Sequence, residues 1–156
     1  MEDLGCVLDA LEDYEVAYAG HSMGAAVGVL RAAKDKRIQK LISLAGMVHT
    51  KAFAEREFGE ETPDEGLMWE KPECPLSSTY INDMAAIDSV LSLAASIQVP
   101  WLLVHGTEDD VVPLQDSLDI QAKQKVELFQ IEGADHVFEG DPTQRMAEKV
   151  KQWVKG

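Results

Sequence analysis

Residues 16–33 read VAYAGHSMGAAVGVLRAA, and this stretch decides the fold that the sequence predicts. Residues 16–19 form a short apolar run that ends at Gly20, a pattern typical of a strand followed by a tight turn. Residues 24–33 are rich in good helix formers. The stretch therefore predicts a strand, a sharp turn and a helix in direct succession.

Similar apolar runs recur along the chain. Residues 41–45, 99–104 and 126–131 predict three further strands, and helical segments separate them. Residues 2–13 show apolar side chains at helical spacing and predict an opening helix. Strands that alternate with helices are typical of a parallel sheet, so the predicted fold class is α/β, with about four mostly parallel strands flanked by helices.

The last helix has a readable beginning. Asp141 is predicted as its N-cap residue, and Pro142 suits the first helical position. Met146, Val150 and Trp153 follow at helical spacing and predict a buried stripe.

Residues 47–88 form a long segment without a strand signal. Prolines interrupt it at Pro63, Pro72 and Pro75. The segment is too long for a plain connection, so it predicts short helices and the cover of an active site. The whole chain, residues 1–156, is predicted to be one domain that carries this insertion.

Composition excludes several classes of protein. Fourteen Lys and Arg against 28 Asp and Glu give a net charge of −14, which repels phosphate backbones and anionic membrane surfaces. No nucleic-acid or membrane partner is therefore expected. Residues 25–30, the longest apolar stretch, are far too few to span a membrane.

The two cysteines and the first residues of the chain indicate the cellular compartment. Cys6 and Cys74 stand apart without a Cys/His cluster, so neither a zinc site nor a disulfide framework is indicated. Met1 is followed by Glu2 and Asp3, the opposite of a basic secretory leader. We expect a cytoplasmic protein without a bound metal.

Residues 20–24, Gly-His-Ser-Met-Gly, match the pattern G-x-S-x-G. In this pattern a sharp turn between a strand and a helix holds the serine hydroxyl clear of the backbone. Ser22 lies between a predicted strand and a predicted helix, as the pattern requires. Ser22 is therefore the candidate nucleophile.

A serine hydroxyl needs a general base, and histidine is the usual one because its ordinary pKa is near neutral. His136 follows the last predicted strand in a loop that has the freedom to reach Ser22. The other histidines are less suitable. His21 is expected to point away from Ser22, His49 opens the insertion, and His105 ends a strand where a structural role is expected.

The imidazole needs a carboxylate that fixes its tautomer. Asp109 follows the third predicted strand, at the same carboxyl edge of the sheet as Ser22. Glu108 and Asp110 are the alternatives. Asp135 is expected to cap its own loop.

The order Ser22, Asp109, His136 and the segment 106–113, GTEDDVVP, are similar to motifs of a known superfamily. The chain resembles the catalytic half of an α/β-hydrolase of the serine esterase and peptidase superfamily. The GHSMG turn is most similar to esterases of the cinnamoyl or feruloyl type and to related serine peptidases.

The resemblance implies a truncated α/β-hydrolase fold whose strands correspond to the fifth to eighth of the family's sheet, with the insertion as its cap. It implies that the Met23 N–H belongs to the oxyanion hole and that no cofactor is needed. The second oxyanion donor normally comes from a loop after the family's third strand, which this sequence lacks.

The resemblance predicts a carboxylesterase that forms an acyl-enzyme. A serine peptidase is one alternative, and a weak or inactive hydrolase that acts as a binding module is another, because one oxyanion donor is missing. Phe53, Met68 and Trp69 are expected to line the substrate pocket, with packing inside the insertion as the alternative.

The resemblance also has a consequence for assembly. The first strand would lack its usual neighbour, so residues 16–19 would form an apolar edge. We expect a homodimer or a higher homo-oligomer that pairs through this edge.

Overall fold

A computed structural model describes residues 2–156, and a parallel sheet forms its centre. The strands are β1 (Val16–His21), β2 (Ile38–Leu44), β3 (Trp101–Gly106) and β4 (Glu127–Ile131). They lie in the order β1-β2-β3-β4, and each neighbouring pair is parallel. The predicted α/β class is confirmed.

Helices connect and flank these strands. They are α1 (Glu2–Ala10), α2 (Met23–Ala32), α3 (Thr50–Phe58), α4 (Ser78–Ile87), α5 (Leu114–Lys123) and α6 (Asp141–Lys155). Two 3₁₀ helices, Met68–Glu70 and Leu91–Ser96, complete the set described for residues 2–156.

Two predicted helix boundaries were wrong. The opening helix ends at Ala10 rather than at residue 13, because a turn follows in which Tyr14 N–H donates to Leu11 O. Gly140, not Asp141, is the N-cap of α6. Its φ of 75° is in the left-handed region that favours glycine, and Asp141 instead takes the first helical position.

Helices cover both faces of the sheet, as the side chains of β3 show. β3 is buried along its whole length. Leu102 and Val104 lie in the core cluster that α6 covers through partly buried side chains, Met146, Val150 and Trp153. These three residues form the predicted stripe, although none of them is fully buried.

The other face of β3 is turned towards α2 and α5. Trp101 and Leu103 line a narrow cavity together with Val29 of α2 and Ile120 of α5. The indole N–H of Trp101 donates to Ser43 Oγ at 3.0 Å, so the buried polar atoms here are paired. The alternation along β3 therefore packs helices against both faces.

The chain divides into two compact units. One comprises residues 2–48 with Leu91–Gly156, and the other comprises His49–Val90. The second unit contains α3 and α4, and the Thr50 hydroxyl joins them by donating to Met84 O at 2.9 Å. In the part of the chain that the structure describes, no helix is both long and apolar enough to cross a membrane.

β1 lies at the edge of the sheet. It pairs with β2, and no other strand among residues 2–156 pairs with it. Ala17 and Ala19 are exposed. The unpaired N–H and C=O groups of such an edge can pair with another chain, so association through β1 stays a prediction.

We expect the parent protein to sediment at micromolar concentration with a mass above the 17.2 kDa of one chain. A charged side chain on an edge strand opposes pairing, so Ala19→Lys should shift the protein towards the monomer. Gln39→Lys, which adds the same charge at an exposed position of β2, should leave the mass unchanged. A monomeric parent at this concentration would contradict the prediction.

Candidate active site

Ser22 lies at the sharp turn between β1 and α2. Its φ of 53° and ψ of −121° are in a region that non-glycine residues rarely adopt. The turn is held by its backbone: Ser22 N–H donates to Leu44 O at 2.9 Å, and Ser22 O accepts from the N–H groups of Ala25 and Met47. The surrounding backbone thus stabilises the strained turn that the motif predicts.

Gly20 makes this turn possible. A Cβ atom at Gly20 would lie 2.3 Å from Gly24 O, closer than side-chain contacts allow. At Gly24 the nearest atom to an added Cβ is Tyr18 Oη at 3.9 Å, an ordinary contact. The first glycine of the motif is therefore the one that the close approach of strand and helix requires.

His136 and Asp109 are in direct contact. The Nδ1 atom of His136 lies 2.9 Å from Asp109 Oδ2 and 3.1 Å from Oδ1. An ionised carboxylate only accepts, so Nδ1 carries the proton and Nε2 is left as the basic atom. The side chain of His136 is 12% exposed and that of Asp109 is fully buried.

The Asp109 carboxylate is stabilised by several donors. Its Oδ1 atom accepts from the N–H groups of Val111 and Val112 at 3.0 and 2.8 Å. Burial by itself would raise the pKa of Asp109, but hydrogen bonds from His105, His136 and the Val112 N–H outweigh burial and hold it well below its usual range. Asp109 therefore stays ionised beside the imidazole.

His105 is the fully buried member of this group. Its Nε2 atom lies 2.9 Å from Val112 O and 3.3 Å from Asp109 Oδ2, while its Nδ1 atom lies 2.7 Å from Ser117 Oγ. A carbonyl only accepts, so Nε2 carries a proton and donates to Val112 O. His105 thus supports the loop that carries Asp109, in agreement with the structural role expected for it.

The loops that carry Asp109 and His136 lie against each other. Thr107 N–H donates to Ile131 O, and Glu108 N–H donates to Ala134 O at 3.0 Å. At Gly106 an added Cβ would lie 2.2 Å from Ala134 O. Glycine at this position lets the end of β3 approach the loop of His136 closely.

The loop of His136 also lies beside the turn of Ser22. The rings of His21 and His136 are 4.7 Å apart, and His21 Nε2 lies 2.8 Å from His136 O. The hydrogen bonds among the described residues do not include one between Ser22 Oγ and His136, and such bonds often form only with substrate present. The structure thus places Ser22, Asp109 and His136 after the carboxyl ends of β1, β3 and β4, with Asp109 and His136 in direct contact.

Met23 is the first residue of α2. The first N–H groups of a helix have no acceptor within the helix and lie at its positive end. The Met23 N–H is one of these groups, and its part in an oxyanion hole stays a prediction. No cluster of three His, Cys, Asp or Glu side chains within residues 2–156 could hold a metal ion.

The alternative candidates lie elsewhere. Glu108 and Asp110 are exposed, and Asp135 accepts from the Glu139 N–H, as expected of a residue that caps its own loop. His49 lies in the second unit, where its Nδ1 atom is 3.1 Å from Ser89 Oγ.

The residues predicted to contact substrate all lie in the second unit. Phe53 is buried there and packs edge-on against Phe58, with ring centres 6.2 Å apart. Met68 is half-buried, and Trp69 is 50% exposed with its ring 5.1 Å from Phe58. Packing inside the unit accounts for Phe53, whereas half of Trp69 remains accessible.

Sequence reasoning missed the contact of His21. Alternation along a strand places neighbouring side chains on opposite faces, so His21 was expected to point away from Ser22. The strand ends at this residue, and the ring of His21 lies 4.7 Å from the ring of His136. No pattern in the sequence indicates such a contact between distant loops.

Comparison with solved structures identifies the fold as that of the α/β-hydrolases. Est1E from Butyrivibrio proteoclasticus matches with a TM-score of 0.81 and 24% identity, covering 97% of this chain and 66% of that chain. Its structure with bound ferulic acid matches with a TM-score of 0.83 and 24% identity, covering 97% of this chain and 65% of that one. The esterase domain of a Rhodothermus marinus protein matches with a TM-score of 0.77 and 14% identity, covering 97% of this chain and 67% of that chain.

The sequence also matches the prolyl oligopeptidase family over residues 9–155, so the chain belongs to that family. A puromycin-hydrolyzing peptidase of Mycobacterium tuberculosis is similar in structure, with a TM-score of 0.59 at 21% identity, covering 83% of this chain and 20% of that one. No curated protein matches the sequence. The chain spans about two thirds of the length of Est1E, at 66%.

We expect Asp109→Asn to reduce kcat for an ester substrate on the order of 10³–10⁴-fold, because the amide no longer holds the imidazole in the required tautomer. Asp110→Asn removes the same charge from an exposed neighbour and should change kcat by less than about threefold. Steady-state kinetics with both variants checks this. A larger loss in Asp110→Asn would show that Asp110 is the acidic residue.

Asp109→Asn also tests the ionisation of Asp109. Its pKa is lowered in the folded protein, so its charge stabilises the fold above the unfolded pKa near 3.8 and loses that effect as the pH falls further. Urea unfolding should therefore show the largest difference between parent and Asp109→Asn near neutral pH. A difference that grows on acidification would contradict the lowered pKa.

Proposed function

We propose that the protein is a serine hydrolase that cleaves small carboxylic esters through an acyl-enzyme. Ser22 is the nucleophile, His136 the general base and acid, and Asp109 the residue that orients His136. The observation that carries the proposal is the contact of His136 Nδ1 with the buried Asp109 carboxylate, which leaves Nε2 as the basic atom of the ring.

Acylation follows from these roles. Ser22 Oγ attacks the ester carbonyl carbon while its proton passes to His136 Nε2, and the carbonyl oxygen becomes an oxyanion that the Met23 N–H stabilises. The oxyanion then collapses, the bond to the leaving oxygen breaks, and His136 returns the proton to the alcohol. The acyl group remains on Ser22 Oγ.

Deacylation repeats the sequence with water. His136 Nε2 takes a proton from water, the hydroxide formed attacks the acyl carbon, and the proton then passes to Ser22 Oγ as the acid is released. Throughout, the carboxylate of Asp109 stabilises the imidazolium without accepting its proton. Its several hydrogen-bond donors favour this ionised state.

A serine peptidase is the second candidate function. The observation that favours it is membership of the prolyl oligopeptidase family, together with similarity to a puromycin-hydrolyzing peptidase. The same three residues would serve an amide, with His136 protonating an amine as the leaving group. Comparison of aryl esters with aminoacyl amides separates the two. Faster hydrolysis of the amides would favour the peptidase.

We further propose a reducing, cytoplasmic setting for the protein. Both cysteines are free: Cys6 is exposed and Cys74 is half-buried. Free thiols of this kind are typical of reducing compartments. Alkylation of both thiols in intact cells, before lysis, would support the setting.

Ser22→Ala is expected to abolish hydrolysis of a short-chain aryl ester and to leave the melting temperature within about 2 °C, because the substitution removes one oxygen from a partly exposed side chain. Equal turnover by the variant and the parent would contradict the role of Ser22. Ser43→Ala is a control for the loss of a hydroxyl: it should lower stability, because it removes the acceptor of the Trp101 N–H, and keep turnover.

A fluorophosphonate probe separates a hydrolase from a binding module. We expect covalent labelling of the parent at Ser22, located by peptide mass spectrometry, and no labelling of Ser22→Ala. An unlabelled, folded parent would favour the binding module. The probe reads the reactivity of the serine without a choice of substrate, so it also covers the case in which the natural ester is unusual.

The role of Trp69 in binding aromatic esters is also a proposal, supported by its half-exposed indole. Trp69→Ala should raise KM for a cinnamoyl-type ester about 2–13-fold more than KM for an acetate ester, since a lost aromatic contact weakens binding by about 0.5–1.5 kcal/mol. An equal change for both substrates would instead favour packing of Trp69 against Phe58 within its own unit.

A further inference from the structure

His136 and Ser22 follow strands at opposite edges of the sheet. Ser22 follows β1, whereas the loop of His136 follows β4, and β2 and β3 lie between them. Three strand spacings of about 4.8 Å correspond to about 14 Å across the sheet. The loop must therefore extend over the ends of two strands and be held there for His136 to serve Ser22.

His21 contacts this loop at His136 itself. Its Nε2 atom lies 2.8 Å from His136 O, and its ring lies 4.7 Å from the ring of His136 and 6.3 Å from that of Phe138. A carbonyl only accepts, so the Nε2–H of His21 is the donor. His21 is exposed, so this bond is formed at the surface of the site.

We propose that His21 is a positioning residue that fixes the main chain of His136 relative to Ser22, an inference that rests on the proposed function. His136 is then held at two points. Asp109 holds its ring through Nδ1, and His21 holds its carbonyl. Because His21 directly precedes Ser22, the nucleophile and the donor that positions its base belong to one turn.

The hydrogen bond of His21 matters more for the orientation of His136 than for the stability of the fold. An exposed hydrogen bond contributes little to folding, because water can replace His21 as donor to His136 O when the side chain is lost. Catalysis is less tolerant, because a displacement of about 1 Å in a catalytic group can cost about 10²-fold in rate. Loss of His21 should therefore lower kcat strongly and stability only slightly.

Four substitutions distinguish the hydrogen bond from the ring contact. The amide nitrogen of Gln reaches about as far as imidazole Nε2, whereas that of Asn reaches only as far as Nδ1. Phe keeps an aromatic ring beside His136 without a donor, and Ala removes both. His21→Gln should therefore rescue the function that His21→Asn, His21→Phe and His21→Ala lose.

We expect kcat to fall about 10–100-fold in the Asn, Phe and Ala variants, with KM and the melting temperature almost unchanged, and to stay within about threefold of the parent in His21→Gln. Gln39→Ala, at an exposed position of β2, is the control and should match the parent. Parent-like kcat in all four His21 variants would overturn the proposal. Equal loss in all four, together with a lower melting temperature, would also overturn it.

A second measurement does not depend on turnover. The Nδ1 proton of His136, shared with Asp109, can be followed by NMR in protein labelled with ¹⁵N-histidine. Faster solvent exchange of this proton in His21→Ala, but not in His21→Gln, would support the positioning role. Unchanged exchange in His21→Ala would overturn it, even if the parent hydrolysed no ester and the proposed function failed.

Discussion

The buried carboxylate of Asp109 is the interaction on which the geometry of the site depends. A charge removed from water is tolerated only when it is fully hydrogen-bonded, and Asp109 meets this condition with donors from its own loop, from His105 and from His136. Through His105 the same network reaches Ser117 at the start of α5. The need to satisfy one carboxylate therefore fixes the positions of three parts of the chain, which are the end of β3, the first turns of α5 and the ring of His136.

The parallel sheet explains why such a network can form beside Ser22. Parallel strands present their carboxyl ends at one edge, so residues distant in sequence meet there. Alternation along β3 places Leu102 and Val104 against α6 and places Trp101 and Leu103 on the face of α2 and α5. His105 is next on that second face, which is why it meets Ser117 of α5 rather than solvent.

The sequence was sufficient for the class of fold, the order of strands and helices, and the contact between Asp109 and His136. Each of these depends on local patterns or on motifs with fixed spacing. Contacts between loops depend on tertiary packing, which a pattern does not encode, and so the hydrogen bond of His21 was missed. The wrong N-cap of α6 has a local cause: Asp141 is a good capping residue by type, but the chain needed a left-handed φ one position earlier, at Gly140.

The close approach of Gly106 to the loop of His136 bears on how the protein tolerates mutation. Gly106 offers no functional group, yet any side chain there would press on Ala134 O and displace the segment that carries His136. A scan of all substitutions scored only by activity would therefore rank Gly106 among the chemically active residues. The same scan scored by abundance would separate it from Ser22, because a clash with the backbone lowers stability, whereas loss of the Ser22 hydroxyl does not.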